Sequence, residues 1–191
     1  MTPFKALSLL CLITSVGCAG AEELPAGDDT GEAQSAVLAV DSKFTSIKPE
    51  SCTKIDEGPA YAKYDCGGLA GYRLLTEDDD LRANVRVGRG SAEMDLNVWS
   101  GKIGGGAFTF LGDTVDWRGV VNGAAFDPFA ITFRVTSQNV QYLVVAKVGA
   151  TKSCQFKVIN ASKHPDASAL ARQAADASRT AACPATIPTP E

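Results

Sequence analysis

The chain has 191 residues, 45% of them hydrophobic, with six cysteines and a formal net charge of −4. Its basic residues are spread along the chain. That excludes the basic face that nucleic acids or anionic membrane surfaces require. The length fits a single domain behind a leader.

The leader comes first. One lysine, Lys5, precedes an uncharged apolar run over residues 6–16. A membrane span needs about 20 apolar residues, whereas a signal-peptide core needs roughly 7–15. Small residues follow, and Ala19-Gly20-Ala21 forms an A-x-A cleavage site ahead of Glu22 and Glu23. Residues 1–21 therefore read as a signal peptide. A second scheme fits the same stretch. Ser15-Val16-Gly17-Cys18 has the form of a bacterial lipobox, in which Cys18 becomes a lipidated N-terminus; Ser15 stands where such sites usually carry Leu. Both schemes predict export to the periplasm or the exterior, either free or lipid-anchored to the outer membrane. No later stretch has the length and apolarity of a span.

Residues 22–42 are expected to be a flexible acidic linker. Ala, Gly, Asp and Glu dominate residues 19–36 and offer almost nothing to bury. A single β-rich domain is expected over 43–183. Cys52, Cys66, Cys154 and Cys183 remain under either processing scheme. In an oxidising compartment four cysteines predict two disulfides, and the local pairings 52–66 and 154–183 are favoured. Zinc is disfavoured, because no C-x-x-C pair exists and the one histidine, His164, has no ligand spacing to a cysteine.

Strand signals fill the domain. Residues 81–87 alternate with Arg82, Asn84 and Arg86 on one face. Residues 130–136 alternate through Ile131, Phe133 and Val135. Residues 140–148 have the β-branched density of a central strand, and 154–160 alternate through Phe156 and Val158. Weaker candidates are 61–66, 71–75, 96–99, 108–111 and 115–118. Ser137-Gln138-Asn139 predicts a tight hairpin turn, and the acidic run Glu77-Asp78-Asp79-Asp80 predicts another. Residues 165–182 read as a helix that opens on Pro165 and Asp166 and carries an apolar stripe of Leu170, Ala174, Ala177 and Ala181. Residues 184–191 read as a loose tail. The fold class is mainly β: an antiparallel β-sandwich or partly open barrel with one C-terminal helix, clipped by disulfides.

Several of these features occur together. They are the Cys52…Cys66 pair ending in Tyr-Asp-Cys-Gly-Gly, the run Gly112-Asp113-Thr114-Val115-Asp116-Trp117-Arg118, and Ala130-Ile131-Thr132 followed by Phe-Arg. His-Pro-Asp-Ala then leads into the Ala-rich helix and its terminal cysteine. Over roughly residues 43–183 the chain resembles a set of small exported proteins of alphaproteobacteria. That resemblance implies an envelope or secreted location and brings no activity, substrate or catalytic residue. The chain departs from the pattern at Glu77-Asp78-Asp79-Asp80, where a Gly-containing turn is expected.

No catalytic, cofactor-binding or metal constellation emerges. The glycine-rich run at 101–106 lacks the order of a phosphate-binding loop. The acidic run lacks the ligand spacing of a calcium loop. His164, at the helix start, suits a ring that caps the helix. Asn160-Ala161-Ser162 is a glycosylation sequon. Asp113, Asp116 and Glu93 are the carboxylates that would have to converge for glycoside hydrolysis. Trp99 and Trp117 would contact a glycan or protein ligand if their rings were exposed on one face. The expected function is an exported, non-catalytic binding module for a protein or glycan of the envelope. The alternatives are a carboxylate-based hydrolase and a structural lipoprotein.

Overall fold

The computed structural model describes residues 39–191. The signal-peptide reading of 1–21, the anchor reading of Cys18 and the linker reading of 22–38 lie outside the described residues. Residues 39–42, expected as linker, already belong to a strand.

Among the described residues, ten strands and one α-helix follow in chain order. β1 (Ala39–Ser46) opens one sheet. The chain then lays down a second sheet as a meander of β2 (Thr53–Gly58), β3 (Tyr61–Asp65), β4 (Tyr72–Asp79), β5 (Arg82–Arg89) and β6 (Ala92–Asp95). It returns to the first sheet as β7 (Phe110–Asn122), which pairs with β1, and continues through β8 (Ala125–Ser137), β9 (Val140–Lys147) and β10 (Cys154–Asn160). All neighbours within the sheets are antiparallel. The result is two open five-stranded sheets, a sandwich rather than a closed barrel.

Period-two alternation builds the core. Leu74, Val85 and Val87 of the second sheet face Val115, Trp117, Ile131, Phe133, Val135, Val144 and Val158 of the first. Trp117 is fully buried, and its indole Nε1 donates to Thr45 Oγ1 at 2.8 Å, so the polar handle of the ring is satisfied inside. From Tyr142 to Ala146 every residue of β9 is buried. Leu143 and Val145 turn to the outer face, where they meet the helix. That double burial is why the stretch lacks a polar alternation.

The helix α1 spans Ala167–Ser178, shorter than the 165–182 expected. It buries Ala167, Ala171, Ala174 and Ala175 against Ala130, Leu143, Val145 and Ile159. The stripe is thus rotated from the expected one: Leu170 is half-buried and Ala177 is exposed. Two polar ties set the rotation. Arg118 makes a bidentate pair with Asp176, Nε to Oδ1 at 2.7 Å and Nη2 to Oδ2 at 3.0 Å. Lys147 Nζ donates to the carbonyls of Ser178 at 2.8 Å and Ala181 at 2.6 Å, placing a cation at the negative end of the helix. No side chain caps the helix start, so the His164 ring does not cap it; the His164 carbonyl accepts the Ala167 N–H instead.

Both expected disulfides are present. Cys52–Cys66 clips the entry of β2 to the exit of β3, and Cys154–Cys183 fastens the chain beyond α1 to the start of β10. The tail differs from its loose expectation. Glu191 exchanges two backbone hydrogen bonds with β10, at Val158 and Asn160, and its carboxylate pairs with Lys157 at 2.6 Å.

The acidic run also differs. Glu77 to Asp79 extend β4, and the hairpin turn is Asp80-Leu81, both left-handed with φ of 50° and 62°. Such a two-residue turn ordinarily takes Asn-Gly or Asp-Gly. A leucine held there stores about 1–3 kcal/mol of strain. The second expected turn, Gln138-Asn139, forms in the same left-handed conformation. Residues 96–99 form no strand, and Trp99 sits half-buried in a turn.

Candidate functional site

Three surfaces carry concentrated chemistry. The first is the outer face of the second sheet, where alternation brings out Lys63 and Asp65 of β3, Arg73 and Glu77 of β4, Asn84 and Arg86 of β5, and Glu93 and Asp95 of β6. Opposite charges interleave. Lys63 pairs with Glu93 at 2.8 Å, Arg73 with Asp65 at 3.0 Å, and Arg86 with Glu77 at 2.8 Å and Asp95 at 3.0 Å. Glu77 is only 4% exposed. Asn84, fully buried, donates to Glu77 and Asp95 and accepts the Val98 N–H. The hydrogen bond to Glu93 raises the Lys63 pKa against the opposing effect of burial. Burial works to lower the Arg86 pKa, but Glu77 and Asp95 outweigh it. Burial raises the Tyr61 hydroxyl, helped by the negative charge of Glu77. Asp65, Glu77, Glu93 and Asp95 each already have a cation, so the centre of the face is a self-neutralised lattice.

The second surface is a groove of about 580 Å³ between α1 and the uncovered outer face of β1 and β7. Phe44, 64% exposed, forms one lip and Arg172 of the helix the other. Asp113, Asp116, Thr132 and Arg134 line it between these lips.

The third is a cleft of about 490 Å³ at an open end of the sandwich. One wall is the inner face of the second sheet: Ala62 and Tyr64 of β3, Thr76 and Asp78 of β4, and Ala83 of β5. The other is the start of β7, Phe110–Asp113, with Ile47 beside it. The opening follows from a break in strand register. Leu111 pairs with Val135 and Val115 with Phe133, so β7 carries extra residues around Gly112-Asp113-Thr114 and bulges there. The Ile47 N–H donates to the Asp113 carbonyl at 2.9 Å and pins the bulge. Small side chains on the facing wall leave the gap unfilled. At the mouth, Leu81 and Phe110 are 46% and 50% exposed, and Phe108, next to Thr109 in sequence, is 48% exposed. Backbone bonds between Thr109 and both Leu81 and Ala83 hold these three apolar residues together. Leu81 and Phe110 carry the apolar lining of the cleft out onto the surface.

The residues singled out in the sequence distribute unevenly. Asp113 and Asp116 share the groove beside the helix, while Glu93 lies on the outer face of the other sheet, in the lattice. The three carboxylates therefore do not converge. Trp117 is a core residue with no ring face for a ligand, and Trp99 lines neither the cleft nor the groove. Asn160 of the sequon is 8% exposed, with its side chain accepting the Ser162 N–H. Among the described residues no group of three His, Cys, Asp or Glu side chains is placed to hold a metal. The glycine-rich run is a tight turn against β8, where a Cβ on Gly104 would meet Ser137 Oγ at 2.0 Å. Sequence reasoning missed the cleft. Its one local signal is the pair of strand candidates 108–111 and 115–118, whose interruption at Gly112-Asp113-Thr114 is the bulge.

Comparison with protein-family models, with curated proteins and with solved structures finds no match for this chain. Among the described residues no helix is long and apolar enough to cross a membrane. The two disulfides are the mark of an oxidising, exported environment.

Proposed function

We propose that this chain is an exported bacterial envelope protein whose sandwich domain is a non-catalytic binding module, with the cleft between the sheets as its site. The observation that carries the reading is the cleft itself: an opening of about 490 Å³, lined mainly by apolar and aromatic residues, with Leu81 and Phe110 exposed at its mouth. A volume of about 300–1,000 Å³ suits a small ligand or the apolar side chains of a partner. The strained leucine at the lip supports the same reading, since a glycine would relieve the turn and remove the contact. The signal peptide over residues 1–21 would deliver the domain. Processing would leave it free, beginning at Glu22, or tethered through a lipidated Cys18. Intact-mass measurement on protein from its host distinguishes the two ends.

The test uses the neutral fluorescent probe N-phenyl-1-naphthylamine. The wild-type protein should bind it with a gain in emission. Ala62→Phe, which fills the cleft, and Ala60→Trp, which covers its mouth from an exposed turn, should each abolish the gain. An absent gain, or a gain that survives both substitutions, would remove the cleft as the site.

A further inference from the structure

The charges around the cleft say what kind of ligand it takes. Four acidic residues border it: Glu77, Asp78, Asp80 and Asp113. Three are already neutralised. Glu77 pairs with Arg86 at 2.8 Å and Lys63 at 3.7 Å, Asp80 with Arg82 at 3.2 Å, and Asp113 with Lys48 at 3.2 Å. Asp78 is the exception: among the described residues it makes no ion pair. Its place is unusual. Alternation from Leu74 and Thr76 puts it on the inner face of β4, the face that elsewhere builds the core. Its neighbours in register are Ala62 on one side and Ala83 on the other. Both are too small to shield it, and both line the cleft. A half-buried carboxylate on an otherwise apolar wall is costly unless something pairs with it.

We infer that the cleft takes a cationic amphiphile, an apolar body bearing one protonated amine whose N–H groups donate to Asp78 while the apolar body lies against Tyr64, Leu111 and Phe110. This inference rests on the reading of the cleft as the binding site. The alternative partners fit less well. An anionic amphiphile would meet Asp78 with like charge, and a neutral one would leave the carboxylate without a cation.

Displacement of bound N-phenyl-1-naphthylamine at pH 7 by three eight-carbon competitors tests it: octylamine, octanol and octanoate. Octylamine should displace the probe at about tenfold lower concentration than octanol, the size of one hydrogen bond to a charged group. Octanoate should be the weakest. Asp78→Asn should bring octylamine and octanol together. Asp78→Ser serves the same purpose if the asparagine variant folds poorly. Asp79→Asn, on the outer face of β4 and outside the cleft, should leave the octylamine preference intact. If the probe binds and Ala62→Phe blocks it, yet the three competitors act alike, the cleft stands and the cationic ligand is overturned. The same holds if octylamine's advantage survives both Asp78 substitutions. If the probe does not bind at all, the cleft itself fails and takes this inference with it.

Discussion

The two sheets solve the same problem by opposite means. Each buries one face in the common core and must then cover the other. The first sheet covers β8 to β10 with an alanine helix, apolar against apolar. The second covers its outer face with its own charged side chains, paired across strands into a lattice over Leu75, which is fully buried there between Asp65 and Arg86 in register. Alanine contributes little transfer energy compared with larger residues, so the helix depends on ties: the Arg118–Asp176 pair, the Lys147 cap and the Cys154–Cys183 bond. The lattice needs no covering element. Instead it depends on each charge keeping its partner, because a buried charge that loses its partner costs far more than the pair contributes. One face is held by a few strong points, the other by mutual dependence.

The largest effect should therefore come from the lattice. Replacing Glu77 by Ala leaves Arg86, Lys63 and the buried amide of Asn84 without their shared acceptor. It should cost about 3–5 kcal/mol in urea unfolding. Glu77→Gln keeps the shape and one acceptor and should cost less. A loss under about 1 kcal/mol for Glu77→Ala would mean that the lattice is solvated decoration rather than a covering.

Next comes the bond on the other face. Cys183→Ser opens a loop of 29 residues and should cost about 2–4 kcal/mol. Hydrogen exchange should show lost protection across Ala167–Ser178 with Val140–Lys147 retained. Global unfolding would show the helix to be inseparable from the sheet. Unchanged protection would assign the docking to Arg118 and Lys147 alone.

What was legible in the sequence follows the same division. Strands whose partners are apolar announce themselves by alternation, as 130–136 does, and β9 by its density. The disulfides were legible because each joins segments close in sequence. The helix was legible as a helix but not by its face. A run of alanines offers several nearly equal stripes, and the lone leucine pointed to the wrong one; Arg118 and Lys147, both distant in sequence, chose another. In the sequence Glu77 reads as a turn residue because four acids in a row look solvated. Only the cross-strand neighbours Arg86 and Lys63 turn it into a strand residue. The cleft was illegible for the same reason. Its walls come from four separate stretches of chain, and Asp78 becomes notable only once its face of β4 is known.

The smallest effect, and the one that separates the two faces most cleanly, is alkaline. Lys63 has its pKa raised above 10.5 in the folded protein by Glu93, against the pull of burial. A raised pKa means that the folded state holds its proton more tightly than the unfolded chain. The stability this contributes is complete below the unfolded pKa and is lost as pH rises through the folded one. Tyr61, raised above 10.0 by its burial and by the charge of Glu77, acts with the same sign, because ionising it places a further negative charge beside Glu77. Both contributions belong to the second sheet. From about pH 10 upward the urea midpoint should fall, and exchange should quicken in Tyr61–Asp65 and Tyr72–Asp79 before it changes in Val140–Lys147. Lys63→Arg keeps a cation that does not titrate in this range and should flatten the decline without changing the midpoint near neutrality. An equal decline in that variant, or loosening that begins beneath the helix, would mean that the alkaline limit lies elsewhere and that the lattice does not hold its sheet through paired charge.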